Sequence, residues 1–359
     1  MIGFRFVVFA VCVALVLVVT APARGAAFAD VLDTPAPLSP LADQALLQGI
    51  AKAGDRLVAV GQRGDIIVSS DAAATWKQSR VPVSSDLTAV FFVDDKNGWA
   101  VGHDGVVLHT SDAGDTWQVQ LTGRTANDLL PAAMERKLAA DPASADGKRL
   151  LEEAKRYQAQ GADKPFLDVW FSDPLNGYVV GAYNLIFRTF DGGKTWESWF
   201  DRTENPKLFN LYAIRPAAGA LYIVGEAGLV LKLDAAHRQF KAVPTPYDGS
   251  FFGVAGAGDA VIVFGLRGSV YTSADGGATW IHVDAGLPAA IVAATRGDGQ
   301  TVLLADAGGR IAATADGGRS FRRVAIRRPT LLTDLVDLGE GRLALVGPRG
   351  AATARVLSR

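Results

Sequence analysis

One eight-residue phrase, repeated along the chain, limits the fold more than any other feature. It reads Ser/Thr-x-Asp-x-Gly-x-Thr/Ser-Trp/Phe. Three copies are whole: Thr110-Asp112-Gly114-Thr116-Trp117, Thr189-Asp191-Gly193-Thr195-Trp196 and Ser273-Asp275-Gly277-Thr279-Trp280. A fourth runs Thr314-Asp316-Gly318-Ser320-Phe321, and another, Ser69-Asp71-Ala73-Thr75-Trp76, has alanine in the glycine place. A second register keeps step with the first: an apolar run ending near Gly, a short turn, then another apolar run. Its markers are Gly61, Gly102, Gly181, Gly225, Gly265, Asp306 and Gly347, separated by 41, 79, 44, 40, 41 and 41 residues. A unit of this size cannot bury its own apolar face, so the units must stack. A period near 40 residues is that of a four-stranded blade. The spacings, with one long interval, predict an all-β, seven-bladed β-propeller over roughly residues 46–356.

The phrase has a structural purpose. The carboxylates of Asp71, Asp112, Asp191, Asp275 and Asp316 can accept backbone N–H groups across a tight turn. The glycine suits a positive φ, and the hydroxyls offer local bonds. Trp76, Trp117, Trp196, Trp280 and Phe321 carry rings into the seams between blades. Repetition speaks for a folding device, because catalysis needs one asymmetric constellation. The fourth unit is worn: Leu233 to Phe240 lacks the glycine and the hydroxyl, which predicts the same hairpin with a looser turn. The seventh supplies three strands, Thr330 to Leu338, Leu343 to Gly347 and Ala351 to Val356. A ring left so would expose an edge. Residues from about Phe28 to Leu38 are expected to add the missing outer strand, and Pro35 and Pro37 suit an edge position.

The long interval, about 122–165, switches to Ala, Leu, Glu, Lys and Arg. Leu129, Leu130, Met134 and Leu138 make one helical face; Leu150, Leu151, Ala154 and Tyr157 make a second, stopped by Gly161. Asp141-Pro142 reads as a cap with a first-turn proline. The segment is an inserted helical hairpin, serving either as rim packing or as a partner-binding lid.

Residues 1–27 read as a secretory signal peptide: Arg5, then an apolar run from Phe6 to Val19, then small residues. A retained anchor is the alternative, but the run is short for a spanning helix. Export points to the periplasm, with residues 28–359 as the propeller. The only cysteine, Cys12, lies in that leader, so the exported chain has no disulfide. The formal net charge is −1 and becomes −3 without Arg5 and Arg24, which argues against a nucleic-acid partner.

The phrase is the Asp-box, or BNR repeat. Its pairing with WAVG-type strands, a leader and a helical insertion resembles the photosystem II stability/assembly factor family, over essentially the whole exported chain. The resemblance implies a non-catalytic, seven-bladed propeller of the thylakoid lumen, or of the periplasm where the source is not photosynthetic. It also implies binding to a membrane-protein subunit during assembly of a membrane complex, with an arginine-rich patch involved and no cofactor. A subunit attached permanently to an envelope complex is a further reading.

The residues themselves point to a surface. The tips of the second-to-third-strand turns are Arg63, Asp104, Tyr183, Ala227, Arg267, Gly308 and Arg349. With Arg310, Arg327 and Arg328, the arginines gather in the sector from blade five through seven to one, on the face where the insertion emerges. They are either solvated turn residues or a docking sector for carboxylate- or phosphate-bearing partners. The rival class is a glycan-processing or glycan-binding Asp-box propeller of the sialidase type, for which Glu226 and Tyr183 lie on the expected face without a recognisable nucleophilic motif. His103, His109, His237 and His282 are dispersed, which argues against a metal site.

Overall fold

The computed structural model describes residues 29–327 and 329–357. The leader read at 1–27, Phe28 and Arg328 lie outside them. Seven antiparallel sheets surround a central channel. Six have four strands, and the one built from Asp334–Gly339, Arg342–Gly347 and Gly350–Arg355 has three. The innermost strand of each blade, such as Leu47–Ala53, Leu87–Phe92 or Phe166–Phe171, lines the channel.

The marker glycines are explained by a close approach. At the end of each second strand a Cβ on Gly61, Gly102, Gly181, Gly225 or Gly265 would sit 2.1–2.2 Å from the carbonyl oxygen of Leu46, Asp86, Pro165, Asn210 or Ser250. Those carbonyls lead into the innermost strands, and the residue after each glycine donates its N–H to the same carbonyl, as Gln62 does to Leu46 at 3.1 Å. In blade six Asp306 takes the marker place, fully buried, and accepts the Arg310 N–H at 2.8 Å. Seven hydrophobic clusters fill the ring. Trp117 packs with blades one and two, Trp196 with blades two and three, and Trp76 with blades seven and one, the seam role read from the sequence.

Helices α1 (Gly123–Ala140) and α2 (Ala145–Gln160) form the insertion. Leu130, Met134, Leu150, Leu151, Ala154 and Tyr157 are buried in one cluster with blades two and three, and Leu129 and Leu138 are partly buried against it. Gly161 ends α2 at φ 87°. The cap differs from expectation. Ser144 caps α2, accepting the Gly147 N–H, whereas Asp141 closes α1. Asp141 N–H bonds back to Lys137, and the chain turns once more before α2 starts.

Two further expectations are corrected. The box-less hairpin of blade four is tighter, not looser. Val230–Asp234 and Gln239–Ala242 pair over four residues, against two for the Asp-box hairpins of blades one, three and five. Without a box to form, the ladder runs on to a short turn held by Asp234 and His237. The N-terminal segment does not complete blade seven. It runs along blade one, where Ala36 N–H bonds Val81 and Ser84 N–H bonds Val31. Arg124 of α1 clamps its Asp30 and Asp33 at 2.6 and 2.7 Å. The ring closes instead through a packed seam: the Ile50 N–H reaches Asp334 Oδ2 at 3.0 Å and the Thr333 hydroxyl reaches the Leu47 carbonyl at 2.7 Å.

Candidate functional site

The five boxes share one geometry. The leading hydroxyl donates to Asp Oδ1 at 2.7–2.9 Å. The second hydroxyl donates to Oδ2 at 2.6 Å. The backbone N–H of that second hydroxyl residue reaches Oδ1 at 2.9–3.0 Å. Both carboxylate oxygens are thus used inside the turn. Bonds from Thr75 hold Asp71 at about 2, and bonds from Ser320 hold Asp316 at about 2. Bonds from Thr279 hold Asp275 well below the ordinary range. These groups are strongly anionic turn anchors, spread around the ring and not convergent.

The arginine tips are built differently. Arg63 and Arg267 hold φ of 56° and 59°, as do their counterparts Asp104 and Tyr183 at 56° and 53°. The turn recruits a left-handed residue because the following glycine is pinned: a Cβ on Gly64 would meet the Val83 carbonyl at 2.2 Å, and one on Gly268 the Leu287 carbonyl at 1.8 Å. The Arg63 N–H is anchored on Asp86 at 2.6 Å, so the backbone is fixed while the side chain faces solvent. Arg63, Arg267, Arg327 and Arg349 are exposed and make no ion pair among the described residues. Arg310 differs, since Asp306 pairs with it at 3.3 Å. Leu266 and Leu331 are exposed beside Arg267 and at the base of the Arg349 turn, so the sector mixes cations with apolar side chains.

The residues of the glycan rival do not meet as a pair. Glu226 accepts the Asn210 backbone and side-chain N–H groups at 2.9 and 3.1 Å and the Tyr212 hydroxyl at 3.3 Å. The Tyr183 ring leans on Tyr157 of α2 at 6.0 Å.

A second cationic cluster was missed by sequence reading. On the outer strands between blades three and four, the Arg188 guanidinium lies 4.0 Å over Phe190, 4.8 Å over Trp199 and 4.9 Å over Tyr178. Arg202 and Arg238 stand 5.1 and 5.8 Å from Trp199, and Glu197 pairs with Arg238 at 3.2 Å. Burial pulls Arg188 below its ordinary value. Three arginines against one carboxylate, with Phe190 exposed, make a firm cation–π surface. Its members come from sequence positions 178 to 238, so only alternation of Arg and aromatic residues (Arg188, Phe190, Trp199) signalled it.

The channel encloses about 690 Å³. Asp168 and Asp334 sit in its wall, and Arg215 holds Asp168 at 2.6 Å.

A family model described as photosynthesis system II assembly factor YCF48 matches residues 48–144 and 152–318. The chain is 22% identical over 256 residues to a photosystem II stability/assembly factor of Arabidopsis thaliana, covering 62% of each. It is 30% identical over 118 residues to a photosystem II assembly lipoprotein Ycf48 of Synechococcus, covering 32% of this chain and 35% of that one. The match thus spans less than two thirds of either relative. Among solved structures, YCF48 bound to a D1 peptide superposes with a TM-score of 0.62 at 14% identity, covering 88% of this chain and 95% of that one. A streptogramin B lyase superposes with a TM-score of 0.62 at 11% identity, covering 90% of this chain and 97% of that one, a likeness of fold alone. With its seven blades and Asp-box turns, the chain belongs to the photosynthesis system II assembly factor YCF48 family.

Proposed function

We propose that this protein is an exported, non-catalytic scaffold that captures a segment of a membrane-protein subunit and assists assembly of its complex. One observation carries the reading: Arg63, Arg267 and Arg349 are exposed at the tips of turns and make no ion pair among the described residues. Pre-set donors on a fixed backbone bind carboxylates with little ordering cost. Leu266 and Leu331 between them fit a partner that is apolar as well as acidic, as a segment leaving a membrane is. A solved relative with this fold carries a D1 peptide, which supports a peptide client. Catalysis is disfavoured because Glu226 is saturated by Asn210 and Tyr212, and the box carboxylates are occupied within their own turns. Arg327, exposed in the connection from blade six to seven, extends the same sector.

The test is peptide capture. A D1 peptide should bind the wild-type protein, and the variant R63E/R267E/R349E should bind at least tenfold more weakly with an unchanged melting temperature. Equal binding by the variant would remove the arginine face from the account. Export is checked by fractionation with N-terminal sequencing: the leader reading expects a mature terminus near Ala27 or Phe28.

A further inference from the structure

Among the described residues blade seven has no outer strand, which all six other blades possess, and the structure shows what is left open. In Gly350–Arg355, the strand pairs inward with Arg342–Gly347 in unbroken register. The Val356 N–H bonds Gly341 at 2.8 Å, so amides of alternate residues, Ala354 and Ala352, also point inward. The N–H and C=O groups of Ala351 and Thr353, and the Arg355 N–H, therefore point outward. Among the described residues no backbone bond reaches the outward groups of Ala351 or Thr353.

The opening is a slot with two ends. At one end Asp43 and Gln44 cross over Gly350, where a Cβ would meet the Asp43 carbonyl at 1.9 Å. At the other, Ile326 bridges Val356 and the Leu357 N–H bonds Ala325 at 2.8 Å. The length between them suits the two- to four-residue outer strands of the other blades, such as Lys77–Gln78 or Gln239–Ala242. Ala352, Thr353 and Arg355 are exposed. Of the described N-terminal residues, Val31 to Ala36 are committed to blade one.

We propose that this slot takes an extended, carboxylate-bearing segment of a partner protein, which adds as the fourth strand of blade seven. An open edge with outward N–H and C=O groups is the template for strand addition. The charge decides the occupant. Arg355 is exposed on the slot, Arg349 lies at its Gly350 end and Arg327 beyond its Ile326 end. None of these makes an ion pair among the described residues, and the acidic residue crossing the slot end is Asp43. Acidic side chains on an added strand would answer those cations. A second copy would set Arg355 against the Arg349 end of its mate, bringing like charges together. The slot runs along the outer strand edge, whereas the arginine tips lie on the turn face, so the inference goes beyond the capture proposed above.

The probe is an acetylated eight-residue peptide alternating Val and Glu, added to the purified protein and followed by amide hydrogen exchange. Binding should slow exchange of the Ala351 and Thr353 amides at least tenfold, and a Val/Lys peptide should not. T353P removes one outward donor from an edge position that tolerates proline, so it should weaken peptide binding at least tenfold while the melting temperature stays put. If T353P does not fold, the exchange pattern of the wild type decides alone. No slowing at Ala351 and Thr353, equal binding of the Lys peptide, or unchanged binding by a folded T353P would overturn the proposal. So would amides already protected in a species that sediments as a dimer. The D1 peptide capture by R63E/R267E/R349E is a separate readout, so either proposal can fail while the other stands.

Discussion

Two seams of the ring use the same device and differ by one charge. Between blades three and four, Asp168 accepts the Ile214 N–H of the next inner strand at 2.8 Å and the Val169 N–H at 2.9 Å. Between blades seven and one, Asp334 accepts the Ile50 N–H at 3.0 Å and the Leu335 N–H at 2.8 Å. Arg215 adds a guanidinium to the first, 2.6 Å from Asp168. No guanidinium bonds the second. Burial raises both carboxyls, and Arg215 opposes the rise at Asp168. Asp334 is pushed up to about 6 by burial, with hydrogen bonds from Ile50 and Leu335 pulling the other way. An inner-strand aspartate is therefore a backbone acceptor first. The seam that closes the ring, where no strand is exchanged between first and last blades, is the one whose aspartate has no guanidinium bond among the described residues.

Breaking the arginine-bonded seam should have the largest effect. D168A leaves the Arg215 cation without its carboxylate and the Ile214 N–H without an acceptor. The expected loss is about 3 kcal/mol in urea unfolding, mostly from the buried Ile214 N–H left without an acceptor, since Arg215 is partly exposed and keeps its bonds to the Val169 and Ile214 carbonyls. A loss under about 1 kcal/mol would mean that the seam depends on packing alone.

The Asp334 seam should respond to pH with a defined sign. Asp334 holds its proton more tightly in the fold than in the unfolded chain. Its stabilising contribution is thus full below about pH 4 and is lost as pH rises through about 6. The shift corresponds to at most about 3 kcal/mol. D334N should remove most of that dependence between pH 4 and 6, measured by melting at each pH. Unchanged pH dependence would place the titration elsewhere, with Asp65, also raised to about 6 by burial, as the next group to replace.

The smallest effect is a gain, and it sharpens the contrast between these seams and the turn carboxylates. Ala73 stands in the box glycine place at φ 67°, and Ala72 beside it at 57°. A73G should relieve about 1 kcal/mol of left-handed strain. A denaturant midpoint that fell would show that the alanine methyl packs usefully in the seam of blades seven and one, where Ala73 is partly buried.

These contrasts also show what a sequence discloses. The blade count was legible because each marker glycine answers a local steric demand, such as Gly61 against the Leu46 carbonyl. The boxes were legible because every bond closes within seven residues of chain. The N-terminal route was not, since Pro35 and Pro37 suit any edge and choosing between blade one and blade seven depends on contacts far along the chain. The Arg188 cluster needed outer strands of two blades to be brought together. The seam aspartates did leave a trace: each is a carboxylate interrupting an apolar inner strand, Asp168 in Phe166–Phe171 and Asp334, with Asp337, in Asp334–Gly339. Of the sector arginines, the sequence placed Arg63, Arg267 and Arg349 at turns, but the Asp306 partner of Arg310 emerged only from the fold.

The central claim is that a rigid ring presents its arginine turns to a peptide. The direct measurement is an amide-exchange footprint of the protein with and without the D1 peptide. The account predicts slowed exchange at residues 62–64, 266–268 and 348–350, with the box turns at Asp112 and Asp191 unaffected. Protection confined to the box turns, to the channel strands or to the Arg188 rim would contradict it.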